Sequence, residues 1–142
     1  MFFADNFKVI EFEKLTRTAQ DAADALGCEI GQIAKSIVFK TEAGKPVLVV
    51  ASGVNRIDET KINNAIGTKI LKADAEYVRE MSGYVIGGVA PWGHKVTPIT
   101  IIDIDLSKYD RIYAAAGKNN AVFELTFDEL VAKTEGKVLT VA

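Results

Sequence analysis

The stretch Ser36-Ile37-Val38-Phe39-Lys40-Thr41-Glu42-Ala43-Gly44-Lys45-Pro46-Val47-Leu48-Val49-Val50-Ala51 decides the fold. Two apolar, β-branched runs flank a polar four-residue turn that carries Gly44, the pattern of a β-hairpin. Residues 47–51 are continuously apolar, which predicts a strand buried on both faces and hence a sheet covered on both sides. Toward the N-terminus, Thr18 and Asp21 form a T-x-x-D cap, Ala19, Ala22, Ala23 and Leu26 recur at helical spacing, and Gly27 ends the helix. A short helical turn is expected over 31–35, which leaves Lys35 at the mouth of a strand beginning at Ser36.

Toward the C-terminus, Asp58 caps a predicted helix that carries Ile62 and Ile66 and stops at Gly67. Asp74 caps another, which carries Tyr77, Val78 and Met81 and stops at Gly83. Lys69-Ile70-Leu71 between them reads as a short strand. Strands are expected over 97–104, 111–115 and 121–125, with Pro98 marking either an edge or a strand start. Thr126-Phe127-Asp128-Glu129 is a full capping box for a last helix, and 138–141 is expected to add a final strand. This order lacks the regular βαβ alternation of a dinucleotide-binding domain. The expected architecture is α/β of the mixed α+β kind: one domain over 1–142, with a mixed, mostly antiparallel sheet and surrounding helices.

Length and composition bound the function. A chain of 142 residues, 49% hydrophobic, can bury one good core and argues against two independent domains. Its 17 Lys and Arg against 19 Asp and Glu give a formal charge of −2, which excludes a general nucleic-acid binder. Arg56, Lys61, Lys69, Lys72, Lys95 and Lys118 are scattered along the sequence and read as solvated surface. No apolar run reaches the roughly 18 residues of a membrane span, and Met1-Phe2-Phe3-Ala4-Asp5 lacks the pattern of a signal peptide. Cys28 is the only cysteine, which fits a reducing compartment. A soluble, cytoplasmic protein with no membrane or DNA partner is expected.

Most catalytic classes find no residues here. His94 is the only histidine and no metal-ligand spacing is present, so neither a metal nor another cofactor is expected. No G-x-S-x-G elbow accompanies Ser52-Gly53 or Ser82-Gly83, which read as a turn and a helix end. Cys28 after a helix-ending glycine reads as a small buried residue. Two features remain. Lys35 sets a cation into an apolar strand, either as a solvated strand end or as a site charge. Gly87-Gly88-Val89-Ala90-Pro91-Trp92-Gly93-His94 is either a tight turn or a loop whose backbone approaches a ligand, because glycine removes the side chain and proline fixes the path. A second loop, Ala115-Ala116-Gly117-Lys118-Asn119-Asn120, reads as a hairpin connection.

Taken in order, residues 18–27, Gln32-Ile33-Ala34-Lys35-Ser36-Ile37-Val38-Phe39, Gly83 to Gly93 and Ala115-Ala116-Gly117-Lys118 resemble the YbaK/EbsC-like aminoacyl-tRNA deacylases, relatives of the editing domain inserted in bacterial prolyl-tRNA synthetases. The resemblance runs from about Thr16 to the C-terminus. It implies a trans-acting hydrolase that clears small amino acids such as cysteine or alanine from mischarged tRNA, with tRNA-Pro the leading candidate. The family's functional lysine falls on Lys35, its G-x-x-P loop on Gly88-Val89-Ala90-Pro91, and its second glycine loop on Gly117-Lys118. Asn119-Asn120 departs from the basic residue and glycine of many relatives, and the histidine of alanine-selective relatives has no counterpart in this later region.

The resemblance therefore makes Lys35 the catalytic candidate and Gly87, Gly88, Pro91, Trp92, His94, Gly117 and Lys118 the substrate-binding candidates. Trp92 has two readings, stacking on the terminal adenosine or packing beneath its own loop. The implied chemistry is substrate-assisted ester hydrolysis in which a ribose hydroxyl helps water. The implied partners are the aminoacyl-tRNA acceptor end and, as a candidate, prolyl-tRNA synthetase. A non-catalytic module that binds an aminoacyl-adenosine-like ligand or a synthetase is the alternative.

Overall fold

Strands β2 (Ile33–Thr41) and β3 (Pro46–Ser52) pair antiparallel with Lys35 opposite Ala51 and Val38 opposite Leu48, forming the hairpin the sequence predicts. The computed structural model describes residues 7–13, 16 and 18–142; residues 1–5, read above for a leader, lie outside the described residues. Around the hairpin the sheet runs β1-β7-β6-β2-β3-β5-β8, with β4 (Ile70–Lys72) also on β2. The outer strands are β1 (Lys8–Glu11), β5 (Ile99–Asp103), β6 (Ile112–Ala115), β7 (Ala121–Leu125) and β8 (Lys137–Leu139). β2–β6, β3–β5 and β5–β8 are parallel, and the other four pairings are antiparallel.

Residues 47–51 of β3 are wholly buried, and their alternation divides the core. Leu48 and Val50 pack with Val38, Ile102 and Phe123 under helices α3 (Ala75–Ser82) and α4 (Phe127–Thr134). Val47, Val49 and Ala51 face the other way, against Ile62 of α2 (Glu59–Ile66). Helix α1 (Ala19–Leu26) extends that second layer by packing Ala22 and Ala23 on Ile33. Each fully buried aliphatic side chain contributes roughly 1.5–3 kcal/mol, so a strand covered on both faces anchors the whole sheet.

The helices start and stop where local chemistry dictates. Thr18, Asp58, Asp74 and Thr126 accept N-terminal amide protons, Glu129 closes the capping box, and Gly27, Gly67 and Gly83 end three helices in the left-handed region. Asp74 matters to the site because α3 launches the 83–94 loop. Asp74→Ala removes the acceptor for the Tyr77 amide and is expected to cost about 1 kcal/mol. The thermal midpoint should fall by about 3–5 °C, read by calorimetry.

Several expected boundaries move, among them the short strands now at Ile70–Lys72 and Ile112–Ala115. The turn expected over 31–35 is a 3-10 turn at Ile30–Gln32, capped reciprocally by Glu29 and Gln32, and β2 starts at Ile33. Pairing of Ile33 and Ala34 with Tyr113 and Ala114 of β6 lengthens the strand, so Lys35 lies inside it rather than at its mouth. The strand expected over 97–104 stops at Asp103, whose side chain accepts from the Asp105 amide and starts a 3-10 turn at Ile104–Lys108. Pro98 precedes an interior strand, the strand-start alternative. The strand expected at 138–141 spans Lys137–Leu139. Among the described residues, no helix is long and apolar enough to cross a membrane.

Candidate active site

β2 is an interior strand with a gap along one edge. β3 lines its first edge throughout 34–40. On the second edge, β6 takes only Ile33 and Ala34, and β4 takes only Phe39, Lys40 and Thr41. Among the described residues, 35–38 have no strand on that side, so peptide groups there are open to a ligand. A cleft of about 290 Å³ lies along this gap, with Thr18, the cap of α1, and Ala19 and Ala22 of that helix on one flank and Ile86, Gly87 and Val89 on another. Lys35, Tyr113 and Lys118 supply its polar side-chain groups, together with Thr16 and Thr18.

Lys35 and Ser36 point to opposite faces of the sheet, as successive strand residues must. The Lys35 ammonium donates to the Asn55 carbonyl at 2.7 Å. Burial pushes its pKa below the ordinary lysine value, and the Asp103 carboxylate opposes that shift. Asp103 is fully buried. It accepts from the Ser52 amide at 2.9 Å and Asn55 Nδ2 at 2.8 Å through one oxygen, and from the Asp105 amide at 3.0 Å through the other. Such saturation makes a buried carboxylate tolerable, and it ties the loop that holds Lys35 to the end of β5. Ser36 Oγ is shielded from solvent without a hydrogen-bond partner among the described residues. It borders both the main cleft and an adjoining hollow of about 150 Å³ lined by Val38, Ala73, Val78 and Ile86.

The two glycine loops meet. Gly88 is buried, its amide donates to the Val85 carbonyl at 3.0 Å, and a Cβ there would lie 2.7 Å from Lys118 Cα. Gly87 has φ of 92° and lines the cleft. Gly117, also at φ 92°, turns the second loop, and the Ala116 amide closes the β6–β7 hairpin on the Ala121 carbonyl. Asn119 and Asn120, the departures from the family pattern, are tied by carbonyl bonds from the Thr16 and Phe12 amides at 2.7 and 2.8 Å. Lys118 lines the cleft and pairs with Glu11 at 3.7 Å.

Trp92 and His94 are placed elsewhere. The Trp92 ring stacks on Phe123 at 4.8 Å between centroids and touches Phe7 at 5.2 Å. At 8% exposure it packs beneath its own loop, and stacking on an adenosine would require unpacking the core. His94 Nε2 donates to the Ala90 carbonyl at 2.7 Å and its ring edges against Tyr84, whose hydroxyl donates to the Trp92 carbonyl at 2.8 Å. Burial lowers the His94 pKa, with the Ala90 bond opposing, so the ring is neutral near pH 7. Pro91 is buried beside them. These three residues hold the loop's shape; Lys35, Gly87 and Lys118 line the cleft, with Gly88 and Gly117 directly behind it.

Sequence reasoning missed Ser36, Asn55 and Asp103. A lone carboxylate in the apolar run Ile99-Thr100-Ile101-Ile102-Asp103-Ile104 was the available signal for the last. No group of three or more His, Cys, Asp or Glu is arranged to hold a metal among the described residues.

A sheet opened at one interior strand, with a part-buried lysine and two abutting glycine loops at the opening, makes a candidate site built on charge and backbone groups. The profile of the aminoacyl-tRNA editing domain family matches residues 13–133, and the chain belongs to that family. It is an enzyme, an aminoacyl-tRNA deacylase. It is 35% identical to "Uncharacterized protein YwhH" of Bacillus subtilis over 92% of this chain and 83% of that one. It is 29% identical to "Putative Cys-tRNA(Pro)/Cys-tRNA(Cys) deacylase EbsC" of Enterococcus faecalis over 84% and 74%. A solved structure described as "a putative trans-editing enzyme for prolyl tRNA synthetase" superposes with a TM-score of 0.90 at 42% identity, covering 95% of this chain and 85% of that one.

Proposed function

We propose that this chain is a single-domain, cytoplasmic trans-editing enzyme that removes a small amino acid, such as cysteine or alanine, from mischarged tRNA-Pro. The carrying observation is the cleft at the β2 gap, which sets Lys35 beside the glycine loops and, among the described residues, is lined by no carboxylate, histidine or cysteine. With no side-chain base lining it, hydrolysis falls to a water positioned by a ribose hydroxyl of the terminal adenosine. Water adds to the ester carbonyl, the Lys35 ammonium and loop amides stabilise the oxyanion, and the ribose oxygen leaves with a proton. Prolyl-tRNA synthetase is the proposed partner. EbsC is named for Cys-tRNA(Pro), and the proline–tRNA ligase of Brachyspira hyodysenteriae is 44% identical over 62 residues, 43% of this chain and 11% of that one.

The need for such an enzyme is energetic. A methylene more or less is worth only ~1–3 kcal/mol in a binding pocket, so a synthetase that selects by size alone mischarges its tRNA and a second sieve corrects the error. A deacylation panel on tRNA-Pro charged with alanine, cysteine, serine or proline checks the reading. Alanyl or cysteinyl ester should turn over at least about tenfold faster than prolyl ester. Hydrolysis of none of the four above the uncatalysed rate would overturn it.

A further inference from the structure

A second cleft, of about 350 Å³, continues from the first along the same open edge of β2. The two share Lys35 and Ile37. The second is floored by Phe39, Ile57 and Ala73 and carries Arg56 and Lys72 at its rim. These two cations are remote in sequence and are brought together by pairing: β4 sets Lys72 opposite Phe39, and the loop from β3 to α2 carries Arg56 next to Asn55, the residue that holds Lys35. Ion pairs elsewhere neutralise Lys8, Lys108 and Lys118. Arg56 and Lys72 are exposed and make no such pair among the described residues, and Glu59 is the one carboxylate lining this cleft. Lys35, Arg56 and Lys72 against Glu59 in the lining, with the buried Asp103 behind Lys35, leave a local positive site on a chain whose formal charge is −2.

We propose that this second cleft, with Arg56 and Lys72 at its rim, binds the phosphodiester backbone of the RNA acceptor end. The proposal rests on the editing function stated above. An ester held at Lys35 in the first cleft belongs to the terminal nucleoside, and the first phosphodiester of the strand is one ribose away from it. Lys35 is the hinge between the clefts, so a ligand leaving the first cleft along the β2 edge brings that phosphate to the two rim cations, while the apolar floor takes a sugar or base. An acidic peptide would satisfy the same charges but gives no reason for continuity with the ester cleft.

The double substitution Arg56→Gln, Lys72→Gln tests this on the full chain. Wild-type and variant are compared on charged tRNA and on the 3′-aminoacyl ester of adenosine, which has no phosphate. The variant should lose at least about tenfold more kcat/KM on the tRNA than on the adenosine ester, mainly through KM. The slope of log KM against log salt should fall by about 0.7 for the one single-strand phosphate held by the two cations. Equal losses on both substrates, or an unchanged salt slope, would overturn the proposal. Binding of the dinucleotide CpA, followed by NMR titration, reads the cleft without catalysis and so separates its failure from failure of the editing function. CpA should bind wild type at least about tenfold more tightly than adenosine does and lose that advantage in the variant. Inorganic phosphate or an acidic peptide perturbing the same residues as strongly as CpA would count against it.

Discussion

Lys35→Ala should lower kcat/KM for the ester by about 10²–10³-fold, the loss typical of removing one oxyanion-stabilising donor from a desolvated site. The fold should survive. Lys35 pairs across the hairpin with Ala51, its side chain leaves the sheet toward the cleft instead of filling the core, and alanine fits a strand there. What folding loses is the bond to the Asn55 carbonyl, about 1 kcal/mol, or a midpoint shift of about 3–5 °C. Lys35→Arg should not restore full activity, because a planar guanidinium cannot replace a point charge held by one carbonyl. The pH profile gives an independent check. Burial lowers the Lys35 pKa, so the ammonium loses its proton earlier as pH rises, and activity should decline on an alkaline limb below the ordinary lysine value of 10.5. Turnover near wild type by folded Lys35→Ala protein would remove Lys35 from the mechanism.

What was legible in the sequence was what local chemistry determines. Thr18, Asp58, Asp74 and Thr126 announce helix starts because a side-chain oxygen two or three residues before an orphan amide suffices, and each does so in the structure. Residues 47–51 announce a doubly covered strand because no polar atom interrupts them. What was not legible depends on partners distant in the chain. β2 begins at Ile33 because β6 pairs there, and the gap at 35–38 exists because β6 stops pairing at Ala34 while β4 starts only at Phe39. No pattern within residues 33–41 encodes either fact. Trp92 and His94 follow the glycine loop in sequence, yet the loop turns inward after Gly88 and sends them to the core side, where Phe123 and Tyr84 receive them. The resemblance to the editing family pointed to two glycine loops, and the fold brings them into contact at Gly88 and Lys118. Only packing separates the residues that line the cleft from those that hold its walls.

Gly88→Ala carries the second large effect, for a reason different from the one a glycine-rich loop suggests. Left-handed backbone is not the constraint at Gly88; it is at Gly87, where φ is 92° and the nearest atom to an added Cβ is Asn119 Cβ at 3.8 Å. At Gly88 the added methyl would lie 2.7 Å from Cα and 2.9 Å from the carbonyl carbon of Lys118. Backbone cannot swing aside as a flexible side chain can, so the two loops must separate. Overpacking of this kind costs about 1–3 kcal/mol and should lower the thermal midpoint by several degrees. Catalysis should suffer more, because the wall carrying Gly87 and Lys118 moves relative to Lys35, and a displacement of about 1 Å in a positioned site can cost about 10²-fold. Gly87→Ala is the matched control: it strains one residue by about 1 kcal/mol without forcing the loops apart. A drop of at least about tenfold in kcat/KM for Gly88→Ala, with a smaller one for Gly87→Ala, would establish loop contact as the determinant. If Gly88→Ala instead unfolds several degrees earlier yet hydrolyses the ester normally, the contact with Lys118 is structural only, and the second glycine loop leaves the site.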